Sequence, residues 1–404
     1  MDYSDQSALF PTLAISNAAE HLDVSVDTIR RWEKKGLIKS YRGANNHRAF
    51  SVDELERVKS KTNAEGEHRG FYNLKSKAKT KFTVIELFAG TGGLALGLEN
   101  AGLITKTLIE WDKDAVATLQ KNRPNWDARL ADVRQQDFSN MTADVVTGGF
   151  PCQAFSYAGN KGGFEDTRGT LFFDFARCVM AVKPKIVIGE NVRGLLKHDE
   201  GRTFQTMVKV LEDIGYRVEY RILKAQYFDV AQKRERLVMI GIRKDLKIKH
   251  VFPTENDYLL TLRDALDKVP VSVGQSYPPK KKAVLDLIPE GGYWRTLSDA
   301  MQRDYMGASY FMGGGKTGMA RRLAWNEPSL TLTCSPAQKQ TERCHPEETR
   351  PLTVREYARI QSFPDDWKFM GSTSSQYKQI GNAVPVNLGY HIGKAVIEML
   401  SSQI

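Results

Sequence analysis

The stretch from Lys81 to Phe88 is apolar and β-rich. It runs into Phe88-Ala89-Gly90-Thr91-Gly92-Gly93, after which Leu94, Leu96 and Leu98 set a helical pattern lasting to Asn100. Strand, tight loop and helix in that order commit the chain to an α/β fold of the Rossmann-like kind. Gly90-x-Gly92-x-x-Ala95 fits the dinucleotide fingerprint, so the loop alone accommodates NAD as well as any other nucleoside with a ribose diol. The next apolar strand, Thr105 to Ile109, ends on Glu110, where a carboxylate can accept from both ribose hydroxyls.

A chain of 404 residues with 41% hydrophobic content buries a substantial core and is long enough for two or three domains. Its net charge of +10 favours a polyanionic partner, because clustered Lys and Arg release counterions from nucleic acid. Composition does not separate DNA from RNA. The four cysteines, at 152, 178, 334 and 344, are too few and too scattered for a disulfide framework. No basic, then apolar, leader opens the chain and no run reaches the length of a membrane span, so a soluble, cytoplasmic, nucleoid-associated protein of a bacterium is expected. Residues 61–81 are polar, basic and unpatterned, which predicts a linker and a chain that keeps its activity when begun near Lys75.

Ahead of that linker, residues 1–60 read as a small helical head. Ser16 begins a short helix with Ala18, Ala19 and Leu22 on its apolar side, and Ser25 caps a second helix that Gly36 ends. Ile29 and Trp32 face inward there, leaving Thr28, Arg30, Arg31 and Lys34 for phosphates or base edges. Arg42, His47 and Arg48 fall in a wing, and Ser51 caps a third helix. The plainer alternative is an amphipathic appendage with solvated basic residues. Ile15-Ser16-Asn17-Ala18-Ala19 and the run Val26 to Glu33 resemble the winged helix-turn-helix head of MerR-type regulators. The resemblance implies a DNA-binding head that reads an operator of its own operon and regulates transcription. The coiled-coil helix that dimerises those regulators has no counterpart, since Ser60 onward shows no sustained heptads.

The chemistry lies in an ordered set of short segments: Gly149-Phe150-Pro151-Cys152-Gln153, Glu190-Asn191-Val192, Gln232-Lys233-Arg234-Glu235-Arg236 and Gln379-Ile380-Gly381-Asn382. A thiol, a carboxyl and an arginine beside a nucleotide-type pocket are the parts needed to add a nucleophile to a pyrimidine ring. Cys152 follows the apolar strand Ala143 to Val146 through a Gly/Pro bend, the kind of strand end where sheet enzymes place chemistry. Arg234 and Arg236 can supply the positive field that raises its thiolate fraction. Cys178 sits in an apolar helical pattern and reads as a core residue. Cys334, Cys344 and His345 lack a fourth ligand and paired spacing, so no metal is expected.

Taken in this order, the segments resemble the DNA (cytosine-5)-methyltransferases of bacterial restriction-modification systems over residues 82–398. The resemblance implies S-adenosyl-L-methionine as cofactor, cradled by Gly90, Gly92 and Gly93. Phe88 and Trp111 would pack on adenine, Glu110 would bind the ribose, and Asp132 beside Val133 the adenine amino group. Pro151, Leu171, Asn382 and Ala383 complete that pocket. Cys152 would be the nucleophile, Glu190 the carboxyl at ring N3 held by Asn191 and Val192, and Arg236 the contact to the cytosine carbonyl. Gln232 and Arg234 would order the catalytic loop and the DNA backbone. Ser156 to Arg168 would form a lid over a flipped base, with Ser156 touching DNA.

The same resemblance divides the chain into a catalytic domain at 82–252, an inserted target-recognition region at 253–350 and a returning segment at 351–404. Gly313, Gly314, Gly315, Lys316, Arg321 and Arg322 are the expected DNA contacts of the insert, and Thr331-Leu332-Thr333 is similar to a short signature of such regions. The implied partners are double-stranded DNA and, functionally, a restriction endonuclease. The catalytic unit is expected to be monomeric, with dimers confined to DNA binding by the head. Two rivals stand beside this reading: a tRNA cytosine-5 methyltransferase, whose Cys-Phe-Thr motif is absent, and a repressor that keeps the methyltransferase body as a scaffold.

Overall fold

The computed structural model describes residues 12–22, 26–34, 38–42, 48–56, 69–151, 170–313 and 316–402. It separates into two compact units, Met1–Arg69 and Gly70–Ile404. In the first, strands β1 (Thr12–Ala14), β2 (Tyr41–Arg42) and β3 (Arg48–Ser51) form an antiparallel sheet in the order β1-β3-β2. Helices α1 (Ile15–His21) and α2 (Val26–Lys34) accompany it, and a third helix, α3, is described at 52–56. Ala18, Ala19, Leu22, Ile29, Trp32, Phe50 and Leu55 make one core, so the inward positions expected on α2 are the buried ones. The Ser51 hydroxyl accepts from the Glu54 N–H at 3.3 Å, the expected cap. Arg30 is exposed, while Arg48 lies 3.2 Å from Glu33 of α2 and is partly engaged within the head. The side chains of Thr28, Arg31, Lys34 and Arg42, with Ser25, Gly36 and His47, lie outside the described residues.

In the second unit the apolar segments pair into a seven-stranded sheet. Its strands are β4 (Thr83–Leu87), β5 (Ile104–Glu110), β6 (Asp127–Leu130), β7 (Val145–Gly148), β8 (Ile186–Val192), β9 (Tyr216–Lys224) and β11 (Glu235–Arg243), in the order β6-β5-β4-β7-β8-β11-β9. β11 runs antiparallel to both its neighbours, whereas the pairings from β6 across to β8 are parallel. Strand order turns back between β4 and β7, so the carboxyl ends of these two strands open a crevice of the kind that binds ligands in parallel sheets. A two-residue strand, β10 (Gln232–Lys233), precedes β11 and pairs in parallel with β12 (Ser329–Leu330).

Helices cover both faces of the sheet, as burial of its apolar strands demands. On one side lie α4 (Gly93–Ala101), the final helix α13 (Val386–Ser401) and, toward the β6 edge, α5 (Lys113–Asn122); on the other lie α6 (Leu171–Val182) and α7 (Arg202–Asp213). Leu388, Ile392 and Val396 of α13 are fully buried, each contributing about 1.5–3 kcal/mol. α13 approaches α4 through glycine: a Cβ on Gly97 would stand 2.4 Å from the Val386 carbonyl and 2.6 Å from Gly389 Cα. Among the described residues, the stretch between β11 and the C-terminal helices carries, besides β12, the short helices α8 (Leu262–Leu266), α9 (Pro279–Leu285) and α10 (Asp299–Met306). It has its own core around Tyr277, Leu285, Trp294 and Met306. Helices α11 (Val354–Ile360) and α12 (Thr373–Asn382) then lead into α13.

The structure corrects the extent of the linker. Residues 70–81 are packed against the second unit. Tyr72 Oη donates to Asp229 at 2.5 Å, Asn73 to the Ser362 carbonyl at 2.6 Å, and the Leu74 N–H to Asn387 at 3.0 Å. Arg359 lies over the Phe71 ring at 4.6 Å. Asp229 also accepts from Tyr258, Asn256 and His391, and holds φ of 56°, so this strap fixes a strained turn just ahead of β10. Polar composition concealed it because most of its anchors are hydrogen bonds to distant parts of the chain, with Phe71 and Tyr72 its aromatic contacts.

A chain begun at Gly70 should therefore unfold at the urea midpoint of the intact second unit, and one begun at Lys75 at a lower midpoint. Tyr72→Phe should cost about 1.5–3 kcal/mol, the usual worth of a hydrogen bond to an ionised group. Equal midpoints for the Gly70 and Lys75 chains would contradict the strap.

Candidate active site at the carboxyl end of the sheet

The glycine loop leaves β4 through Phe88, whose φ is 57°, and turns at Gly90 and Gly92, whose φ values are 54° and 83°. A Cβ on Gly90 would meet no heavy atom within 4 Å, so the loop borders open space. Glu110, at the end of β5, ties the loop down. Its carboxylate accepts from the Gly90 N–H at 2.8 Å, Trp111 N–H at 2.9 Å and Asp112 N–H at 2.8 Å. A carboxylate offers about four lone-pair positions, so one remains for a ligand hydroxyl. Trp111 is 75% exposed beside it, a large apolar ring left open to a ligand.

The returning C-terminal segment lies against the same loop. A Cβ on Gly93 would fall 2.1 Å from the Val384 carbonyl and 3.2 Å from Ala383 Cβ, so only glycine lets α4 start there. Gln379, which the sequence reading passed over as a functional side chain, accepts from Thr91 at 3.2 Å and Thr118 at 2.7 Å. Asn382 is exposed, and its amide oxygen accepts from the Cys334 thiol at 3.1 Å. Asp132 caps the turn after β6 and binds the Arg134 guanidinium, with Val133 buried behind it. A ligand amine would compete with that surface ion pair, which is worth little. Thr170 caps α6 and puts Leu171 at its first residue.

At the end of β7 the chain passes through Gly149 and Phe150 to Pro151. Phe150 is wedged between Phe172 and Phe175, with ring centroids at 5.1 and 5.3 Å. Asn191 donates to the Phe150 carbonyl at 2.8 Å in a buried setting. Its amide thus steadies the bend at Phe150 and Pro151, rather than the Glu190 carboxyl as expected. Cys152, Ser156 and the expected lid to Arg168 lie outside the described residues.

Glu190 and Arg236 do meet. In the β8–β11 register Val192 faces Arg236 and Glu190 faces Val238, so both side chains emerge on one face at the sheet's end. Glu190 Oε1 stands 2.5 Å from Arg236 Nε, and the two side chains are 12% and 11% exposed. That contact lacks hydrogen-bond alignment, leaving Oε1 without a well-directed donor. Burial pushes the Glu190 carboxyl above its ordinary range, against the opposing pull of Arg236 and Arg234. The same face carries Glu86, an acid within the apolar run Thr83–Leu87 that the sequence reading overlooked. Burial first, and then the neighbouring Glu190 and Glu110 charges, drive its proton affinity well up. Cys178 behaves as a core thiol, pushed up to about 12 by burial.

Arg234 and Gln232 need correction. Arg234 is 2% exposed, and its guanidinium donates to the carbonyls of Leu332 at 3.2 Å and Gly381 at 2.9 Å. Gln232 is fully buried, donating to Gln361 at 2.8 Å and accepting from the Leu332 N–H at 2.9 Å. Neither can reach a DNA backbone; together they bolt β10 to the stretch 329–333 and to the C-terminal segment. Thr331, in the expected Thr-Leu-Thr signature, donates to the Lys233 carbonyl at 2.6 Å. Arg322 is likewise buried, its guanidinium spent on the Ile288, His345 and Leu285 carbonyls, so it is a structural residue. Arg321 is 3.5 Å from Glu327 with its side chain 15% exposed, and Lys316 donates to the Ser309 and Met312 carbonyls. Gly313 is exposed, and Gly314 and Gly315 lie outside the described residues.

The C-5 cytosine-specific DNA methylase family profile matches residues 82–398, and the MerR family regulatory protein profile matches residues 15–50. The sequence is 53% identical over 401 residues to the Type II methyltransferase M.Eco47II of Escherichia coli, an alignment spanning 96% of this chain and 95% of that one. It is 51% identical over 341 residues to the Type II methyltransferase M.Sau96I of Staphylococcus aureus, spanning 82% and 79%. Among solved structures, a candidate DNA modification methyltransferase encoded within an E. coli prophage superposes with a TM-score of 0.59 at 25% identity, over 80% of this chain and all of that one. Spodoptera frugiperda DNMT2 gives 0.56 at 14% identity over 78% and 100% of the two chains, a likeness of fold alone.

Removing the guanidinium in Arg234→Met would strand the Leu332 and Gly381 carbonyls in a dry core. A loss of about 3 kcal/mol or more in urea unfolding is expected. Lys233→Ala, one residue away and part of a half-exposed pair with Glu327, should cost under about 1 kcal/mol. Similar losses for the two variants would contradict the role given to Arg234.

Proposed function

The chain belongs to the C-5 cytosine-specific DNA methylase family, and on that premise we propose that Cys152, Glu190 and Arg236 carry out methyl transfer to C5 of cytosine in duplex DNA. It is a Type II methyltransferase, and its role is to protect DNA from a partner restriction endonuclease. The observation that carries the residue assignment is the Glu190–Arg236 pair on the same sheet end as the Pro151 bend and the Gly90 loop.

S-adenosyl-L-methionine, when bound, supplies a methyl group activated by a sulfonium centre. The open space at Gly90, the spare acceptor position on Glu110 and the exposed Trp111 ring suit its adenosine, and Asn382 with Ala383 lies where the loop meets the C-terminal segment. Cytosine C5 is a poor nucleophile in a neutral aromatic ring. Addition of the Cys152 thiolate to C6 breaks the aromaticity, and the displaced electron pair makes C5 nucleophilic; once C5 carries the methyl group, loss of its proton expels the thiolate from C6 and restores the ring. Glu190, whose burial favours the protonated carboxyl, supplies a proton at N3 and so makes C6 more electrophilic. Arg236 keeps the carboxyl oriented and offers its remaining N–H groups to the ring carbonyl.

The sequence selected is the work of residues 253–350, which bolt onto β10 through Leu332. Residues 1–60 act as a second DNA-binding element that reads the operon's own promoter, supported by the MerR match and the exposed Arg30. No helix among the described residues is long and apolar enough to cross a membrane, and a bacterial enzyme acting on DNA works in the cytoplasm.

Duplex DNA with 5-fluorocytosine at the target should form a denaturation-resistant adduct that requires S-adenosyl-L-methionine, with peptide mass spectrometry placing it on Cys152. Glu190→Gln should slow turnover by about 10²–10⁴-fold with cofactor affinity retained. Undiminished methylation by Cys152→Ala would refute the nucleophile.

A further inference from the structure

The stretch between β11 and α11 contains a continuous run of edge-to-face aromatic rings. Tyr293 meets Trp294 at 6.4 Å, Trp294 meets Tyr310 at 6.1 Å, and Tyr310 meets Phe311 at 5.2 Å. Three guanidinium groups lie over it: Arg295 over Trp294 at 5.1 Å, Arg303 over Tyr310 at 5.6 Å and Arg321 over Tyr293 at 5.7 Å. They are not equivalent. Arg321 is mostly buried and faces Glu327. Arg295 and Arg303 are exposed, and among the described residues neither guanidinium has a carboxylate or a hydrogen-bond acceptor.

At the end of the run Phe311 is 82% exposed and Met312 65%. Gly313 follows, with no heavy atom within 4 Å of the place a Cβ would take. Folding accounts for none of these choices. Two large apolar side chains left in water gain nothing, a glycine without a neighbour costs backbone entropy, and two cations that face no carboxylate among the described residues add repulsion in a chain of net charge +10. All are explained by a partner that is anionic, has flat apolar surfaces and must approach the backbone closely.

We propose that Arg295 and Arg303 read guanine edges in the major groove of the substrate duplex, with Phe311 packing on an apolar base surface beside them. This rests on the assignment of recognition to residues 253–350 and replaces the basic residues expected there, Arg322 above all, with two whose guanidiniums are free. Arginine meets the N7 and O6 acceptors of guanine with two parallel N–H donors, the commonest specific contact to a base pair. Their placement over the Trp294 and Tyr310 rings limits the rotamer freedom lost on binding. The open Gly313 gives the backbone clearance at the groove edge.

The test uses the full-length enzyme. Once bisulfite sequencing of host DNA has established the methylated word, Arg295→Ala, Arg303→Ala and Phe311→Ala are assayed on that word and on each of its single-base substitutes at several salt concentrations. Each arginine variant should lose about ten- to a hundredfold in kcat/KM on the cognate word and most of its discrimination at one guanine position. Cofactor affinity should stay at its wild-type value, and the unfolding midpoint should fall only slightly, by the loss of one exposed cation–π contact. Phe311→Ala should weaken the cognate duplex more than unrelated DNA. A uniform loss on all duplexes, with the salt dependence reduced by about one counterion, makes the arginines phosphate contacts and overturns the proposal, as does wild-type behaviour. Exchange of residues 253–350 for those of a relative separates the two layers. A changed word in the chimera with no effect of the point variants defeats this proposal alone, whereas an active chimera that keeps its word defeats the underlying assignment.

Discussion

The site depends on one reversed strand. β11 lies between β8 and β9, antiparallel to both, and this pairing sets Arg236 against Glu190. Were β11 parallel, its first residues would enter at the opposite end of the sheet and the arginine would be a strand-length away from the acid. The pair is no source of stability, because withdrawing two charges from water costs about as much as their attraction returns. Burial instead favours a protonated Glu190. With a folded pKa above the unfolded value, its contribution to stability is fully present below about pH 4.3 and is lost as pH rises through the folded pKa. That cost at neutral pH is consistent with a carboxyl kept for chemistry.

β11 also inherits its position from what precedes it. Gln232, Arg234 and Arg236 alternate inward, each with a different duty: Gln232 and Arg234 hold the Leu332 backbone and the C-terminal segment, and Arg236 turns to the acid. Lys233 and Glu235 alternate outward into the half-exposed ion pairs with Glu327 and Arg193. Upstream, Asp229 is fixed by Tyr72, Tyr258 and His391. Arg236 is therefore positioned by distant stretches of chain on either side, around Tyr72 before it and Leu332 and Gly381 after it. Glycine makes the remaining joint, since α13 reaches the start of α4 only because Gly93, Gly97 and Gly389 present no side chains.

The parts legible in the sequence are those in which chemistry and spacing coincide. The strand, glycine loop and helix around Gly90 follow from local conformational preference, and Glu110 is marked by its place at a strand end. The inward positions Ile29 and Trp32 follow from helical period. Reading failed where a residue's type is compatible with two environments. Arg234, Gln232 and Arg322 look like DNA ligands because arginine and glutamine usually seek water or phosphate, and nothing local shows that backbone carbonyls from distant loops will satisfy them. The strap at 70–81 failed for the same reason, and Glu86 was hidden within an apolar run. Arg295 and Arg303 carry no sequence signal that separates them from Arg322; only their exposure and, among the described residues, the absence of a carbonyl or carboxylate acceptor set them apart.

The role proposed for Glu190 is that of a dry carboxyl at the sheet end that protonates the cytosine base. It is tested most directly by titrating Glu190 itself. With ¹³C-carboxyl-labelled glutamate, the Glu190 resonance is identified by its loss in Glu190→Gln and followed against pH in the free enzyme. The account predicts a midpoint above the ordinary glutamate value of about 4.3. A midpoint at or below that value would mean that the Arg236 charge outweighs burial, and that Glu190 stands ionised when cytosine arrives.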